Sequence, residues 1–317
     1  MAGGTERALR RRIRTVEATK KITRAMDLIA ASQIPRARAR IAGSAPYVDG
    51  IERVLHTTAA DAAGASRLIG SGEDATNALV LAIAADRGLC GGYNTGVLRQ
   101  AERLMLAGEA GGRRYRVVTV GRKAIGYFRF RGRQVDRPFL QMTNRPTFED
   151  ARQVAAELIE PFLSGEVDLV QLISTRFKSA GVQVVETRQV LPLPAEEGEA
   201  EESVAASSSG GFFDFEPEPA ELLRLLVPRY TEAVVYRALL EASASEHTAR
   251  QRAMAAATEN ADELITTYRR AMNRARQDSI TTEILEIVGG AEALRAEASQ
   301  SSGIDVLLTD DQEEQIA

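Results

Sequence analysis

At 317 residues the chain has room for one domain of ordinary size plus extended helices. Its longest clear apolar run, residues 78–85, is far short of the roughly eighteen residues that span a bilayer. A single cysteine, Cys90, excludes an internal disulfide framework and suits a reducing compartment. The net charge of −4 conceals an asymmetry: residues 5–42 hold eleven Lys or Arg against three acids, so this stretch carries +8 and the remainder −12. A polar, basic N-terminus with no apolar core does not read as a secretory signal. The expectation is a soluble, cytoplasmic chain whose membrane association, if any, is peripheral.

In chain order, residues 5–42 contain no Gly and one Pro, Pro35. Leu9, Ile13, Val16, Met26 and Ile29 mark a helical stripe. Pro35 should bend or locally interrupt this helix, because it removes one backbone donor and crowds the preceding turn. Residues 78–85 read as a buried strand running into the turn-rich Asp86-Arg-Gly-Leu-Cys-Gly-Gly-Tyr-Asn94. A helix follows over 95–106, a strand over 115–120 closed by Gly121, a short helix over 122–130, and a weak strand near Gln134. Thr147, followed by Glu149 and Asp150, reads as the N-cap of a helix ending near Leu163. Two further strands cover 167–175 and 182–190. This alternation predicts an α/β layer on a mainly parallel sheet. Residues 195–211, with their Glu and Ser clusters, read as a solvated loop.

Residues 229–288 then run for sixty positions without Gly or Pro, although those two types supply 35 residues of the chain. A continuous helix of that length is roughly 90 Å long, too long for one compact domain to cover. Ala257, Ala261, Leu264, Tyr268, Ala271 and Ala275 recur at three- and four-residue steps. The two helical ends therefore predict an antiparallel coiled coil closed by small residues. The expected organisation is an N-terminal helix over 1–57, a central Rossmann-like α/β body over 76–194, a loop over 195–216, a C-terminal helix over 217–294 and an acidic, disordered tail over 295–317. In that tail, residues 299–303 have the composition of a flexible joint.

Chemistry-bearing patterns are weak. Gly88, Gly91 and Gly92 miss the dinucleotide spacing, and no phosphate-loop motif occurs. Cys90 has no histidine near it in sequence, since His56 and His247 lie in helical stretches, and it reads as a small residue packed in a turn. Two His and one Cys give no metal-ligand spacing. The basic helix lacks the aromatics expected of a nucleic-acid reader and fits an acidic protein surface at least as well. A coiled-coil scaffold or nucleic-acid binder with an α/β head is the alternative class, and an enzyme acting alone is disfavoured.

Five strings, in order, decide among these. They are Thr19-Lys-Lys-Ile-Thr-Arg-Ala-Met26 with Ala30-Ala-Ser32, Asp86-Arg-Gly-Leu-Cys-Gly-Gly92, Leu191-Pro-Leu-Pro194, Ala256-Ala-Thr-Glu-Asn260, and Ala275-Arg-Gln-Asp-Ser-Ile-Thr-Thr-Glu283 running into Glu286-Ile-Val-Gly-Gly290. Together they resemble the gamma subunit of bacterial F-type ATP synthases over residues 1–294. The resemblance implies a rotor shaft within a hexamer of alpha and beta subunits, with the α/β body on the membrane c-subunit ring beside the epsilon subunit, at the cytoplasmic side of the cell membrane. It implies no cofactor, no metal, no nucleic acid and no catalysis by the chain itself. By position it implies beta-subunit contacts at Lys20, Lys21, Arg24, Met26, Arg276, Gln277 and Thr281, and ring or epsilon contacts at Phe213, Phe215 and Glu216. The chain lacks the chloroplast-type cysteine insertion, and the resemblance ends before the acidic tail.

Overall fold

A computed structural model describes residues 2–61, 67–194 and 218–310. Its elements are α1 (Ala2–Asp61), β1 (Asn77–Ile83), α2 (Tyr93–Ala110), β2 (Arg114–Val120), α3 (Arg122–Phe130), β3 (Arg137–Phe139), α4 (Phe148–Ser164), β4 (Leu169–Phe177), β5 (Gln183–Leu191) and the 92-residue α5 (Pro219–Asp310). The chain divides into two compact units, one from residues 24–256 and one from residues 1–23 with 257–317.

The larger unit is built on a five-stranded sheet of order β3-β2-β1-β4-β5, parallel except for β5. β1 is buried on both faces, which is why it reads as an unbroken apolar run rather than an alternation. Leu79, Leu81 and Ile83 enter the core shared with Val154, Leu158 and Phe162 of α4 and Leu223 and Val234 of α5. The intervening Val80 and Ala82 pack with Val97, Ala101 and Met105 of α2 and Phe128 of α3. Thr147 caps α4 as its position implies: its hydroxyl accepts from the Asp150 amide at 3.2 Å, and the Asp150 carboxylate accepts from the Thr147 amide at 2.8 Å. At the β2–α3 turn Gly121 has φ +95°, and a Cβ there would lie 2.0 Å from the Ala84 carbonyl oxygen, so only glycine fits.

The helical backbone of α1 continues through Pro35 and Pro46, where an interruption was expected at Pro35. Both prolines lie on the exposed face, as do Ala31 and Ala42 one turn earlier, so the carbonyls left without a donor can be hydrated. The opposite face of α1 holds the helix in place: Ala30, Ala37 and Val48 are buried and Ile34, Ile41 and Ser44 half-buried, at alternating four- and three-residue steps. Ion pairs fasten this part of α1 to its surroundings, Asp49 to Arg237 at 2.7 Å and Glu52 to Arg188 at 2.6 Å.

In the smaller unit α1 and α5 pack antiparallel, with Glu17 opposite Arg269 and Thr23 opposite Thr258. The α5 seam is Thr258, Ala261, Ile265, Tyr268, Met272, Ala275 and Ser279, a strict alternation of threes and fours. Leu264 and Ala271, expected on the stripe, face outward, and Leu264 is 46 % exposed. The helix also continues to Asp310, where a disordered tail was expected from Arg295. Pro is absent from 229–310, and the glycines there lower helix propensity without forbidding the helix. The loop 195–216 lies outside the described residues apart from its flank at Glu218.

Candidate partner-contact surface

The residues singled out on the two long helices fall into distinct environments. Lys21, in the smaller unit, and Arg24, in the larger, are each exposed and make no ion pair among the described residues. Lys20, expected beside them as a free cation, instead lies half-buried on the seam, and its ammonium is ion-paired with Asp262 of α5. The basic stripe is therefore partly absorbed by the coiled coil's own packing. On α5, Arg276, Gln277 and Thr281 are all exposed, and Gln277 and Thr281 share a face at four-residue spacing. The adjacent seam positions Ala275 and Ser279 are the half-buried ones, so none of the three is engaged in packing α1. Phe213, Phe215 and Glu216 lie outside the described residues.

Met26 is half-buried and lines a cleft of about 840 Å3 in the larger unit, between α1, the loop after β1 and α5. Sequence position alone does not bring the Asp86–Gly92 loop to this place; a network of polar ties does. Asp86 accepts from the Arg122 amide at 3.1 Å and from the Thr143 hydroxyl at 3.2 Å, which seals the start of α3. Arg250 donates to the Gly88 carbonyl at 3.4 Å and to Glu246 at 2.8 Å. Asn94 accepts from the Ala85 amide at 2.8 Å and donates to the Cys90 sulfur at 3.1 Å. Leu89 sits at φ +63°, with its side chain 62 % exposed.

The electrostatics of this region are those of packing. Burial pushes the Cys90 thiol upward, away from the thiolate a nucleophile needs, with Arg250 opposing that shift. Burial likewise raises the Glu246 carboxyl, while the Arg250 guanidinium holds it down. His247, buried with Nε2 3.4 Å from the Asn144 carbonyl, is pushed below its ordinary range by burial, with Arg250 and Arg40 adding to the effect and the Asn144 carbonyl opposing it. The Glu246–Arg250 pair escaped the sequence reading, although its four-residue spacing on a helix is the available signal. Among the described residues no group of His, Cys, Asp and Glu stands together in a way that could hold a metal ion.

Comparison with known proteins agrees with this geometry. The family model described as ATP synthase matches residues 5–294. The ATP synthase gamma chain of Parafrankia sp. is 44 % identical over 299 residues, covering 93 % of this chain and 99 % of that one. That of Acidothermus cellulolyticus is 44 % identical over 305 residues, covering 94 % and 100 %. Among solved structures, the Tetrahymena thermophila mitochondrial ATP synthase central stalk and c-ring contains a similar chain, with TM-score 0.57 and 26 % identity over 74 % of this chain and 99 % of that one. A chain of the Euglena gracilis mitochondrial enzyme, at TM-score 0.66 and 20 % identity over 93 % and 96 %, shares the fold. With a family model spanning nearly the whole sequence and full-length relatives above 40 % identity, the chain belongs to the ATP synthase gamma-chain family.

Proposed function

We propose that this chain is the central rotor shaft of a proton-driven F-type ATP synthase. It transmits rotation of a membrane c-subunit ring to the nucleotide sites of a surrounding alpha–beta hexamer and carries out no reaction itself. The observation that carries this reading is the far end of α5. The register that sets Glu17 against Arg269 leaves roughly 25 residues of α5 beyond the start of α1, a single helix of about 40 Å. On this stretch and just before it Ile280, Ile284, Ile287 and Leu294 recur on one side with exposures of 49–72 %. A lone helix presenting a row of large apolar side chains calls for an apolar enclosure, and a sleeve formed by surrounding subunits supplies one.

Lys21 and Arg24 are the free cations for an acidic lever of the beta subunit, with Met26 close by. Arg276, Gln277 and Thr281 present donors to a beta-subunit loop from α5. Phe213, Phe215 and Glu216 are the contacts with ring and epsilon that family position assigns. No helix among the described residues is long and apolar enough to cross a membrane, so the proposed attachment is peripheral, through the ring, on the cytoplasmic side of the cell membrane. Affinity purification of the tagged chain from its own cells tests this: alpha and beta subunits should co-purify with ATPase activity. A chain recovered without either would overturn the reading.

A further inference from the structure

The coiled-coil seam of the smaller unit is apolar at Leu9, Ile13 and Val16 on α1 and at Ala261, Ile265, Tyr268 and Met272 on α5. Two successive α1 seam positions break that pattern, Lys20 and Thr23. Each meets its chemical complement on α5. The Lys20 ammonium is paired with the Asp262 carboxylate, and the Thr23 and Thr258 hydroxyls lie 2.8 Å apart. Thr258 is buried and Thr23 half-buried, so this hydrogen bond sits within the seam rather than on its rim. The neighbouring Glu17–Arg269 pair, at 2.8 Å, extends the set toward the free end.

Apolar heptad seams hold two helices together but discriminate poorly between registers, because sliding one helix by seven residues, about 10 Å, again sets apolar side chains against apolar ones. The polar insert removes that degeneracy. With Lys20 now opposite Asp262, a slip of one heptad in one direction would bring Lys20 against Arg269 and Asp262 against Asp27, like charge facing like charge in both places. In the other direction it parts Lys20 from its acid. Either shift also parts the Thr23 and Thr258 hydroxyls, leaving Thr23 only its bond to the Lys20 carbonyl at 3.1 Å.

We propose that Lys20–Asp262 and Thr23–Thr258 form a register pin. They are positioning residues that fix the axial and rotational setting of the two helices within the smaller unit, so that Lys21, on the adjoining outer face, meets a surrounding subunit at a constant angle. The role assigned to Lys20 is thus internal to the shaft, and it rests on the shaft reading above.

The test uses the whole chain assembled with its complex in membrane vesicles. Asp262→Lys is compared with Lys20→Asp and with the reciprocal pair Lys20→Asp/Asp262→Lys, with Thr23→Val/Thr258→Val as a second, milder perturbation. Two quantities are read: the rate of proton-driven ATP synthesis, and the distance distribution between spin labels at the exposed positions Thr19 and Glu263. Cys90, being buried, is not labelled. The pin predicts that Asp262→Lys lowers synthesis by about threefold, the scale of an exposed ion pair, and broadens the distribution. The reciprocal pair restores both, and the valine pair broadens the distribution without a charge change. A reciprocal pair no better than Asp262→Lys, or an Asp262→Lys complex unchanged in both readouts, overturns the pin. Should charge reversal prevent assembly, the valine pair decides: an unbroadened distribution rejects the proposal. Co-purification of alpha and beta subunits with the unaltered chain, scored in the same preparations, separates loss of the pin from loss of the shaft reading.

Discussion

Replacing Arg188 by Leu should lower the stability of the chain by about 2 kcal/mol, and replacing Glu52 by Leu as well should recover most of that loss. Arg188, on β5, donates to Glu52 of α1 at 2.6 Å and to the Tyr230 hydroxyl of α5 at 3.2 Å, and its guanidinium lies 6.0 Å from the Tyr230 ring centroid. One side chain thus joins the sheet to both long helices. The two partners' side chains are 34 % and 22 % exposed. Removing one member of a fully buried pair costs about 3–5 kcal/mol, whereas a surface pair is worth roughly 0.2–1 kcal/mol. The intermediate burial of this pair places the loss near the midpoint. Most of it comes from the Glu52 carboxylate, left against the sheet without its cation, so an apolar residue at 52 removes the cause. Thermal unfolding of the isolated chain, followed by circular dichroism, should show a midpoint lower by roughly 5 °C in Arg188→Leu. A double variant as unstable as the single one, or a single variant with an unchanged midpoint, would refute the argument.

Reversing charge at Lys21 and Arg24 should weaken coupling of ATP turnover to proton flow more than it weakens assembly, because each exposed contact is worth about 1 kcal/mol or less; salt-independent, unchanged synthesis rates in vesicles would count against it. Arg276→Ala and Gln277→Ala should each lower turnover of the assembled complex while leaving the coiled coil's helical signal intact, since neither packs on α1; normal rates in both would remove the contact assignment. His247→Gln should flatten the pH dependence of stability below about pH 6.5. The folded histidine titrates below its ordinary value, so the unfolded chain takes up its proton first and stability is lost as pH falls through that range. Equal slopes in denaturant titrations of both proteins at pH 5 to 7 would contradict this.

The parts legible in the sequence were those with a strong local cause. The doubly buried β1 announces itself as a continuous apolar run, Thr147 as a cap, and Gly121 as a turn that no other residue fits. The coiled coil was visible as two long helices, but its seam was misplaced onto Leu264 and Ala271. Where Ala is abundant, small residues lie on every face and periodicity loses contrast. Lys20, Thr23 and Thr258 carry no apolar signal at all, although they occupy the seam. The interruption expected at Pro35 fails for a related reason: proline is a breaker by local propensity, and packing along Ala30, Ala37 and Val48 overrides it. The ties that bring the Asp86–Gly92 loop beside Met26 are long-range, and no local pattern encodes them.

The central claim is that the chain turns as a shaft, and the most direct test is to watch it. The chain is assembled with its alpha and beta subunits, the hexamer is fixed to a surface, and a probe is attached through Arg103→Cys at an exposed position of α2. On addition of ATP the probe should rotate in one direction, in steps, and stop when ATP is removed. ATP hydrolysis at an undiminished rate with a stationary probe would contradict the account.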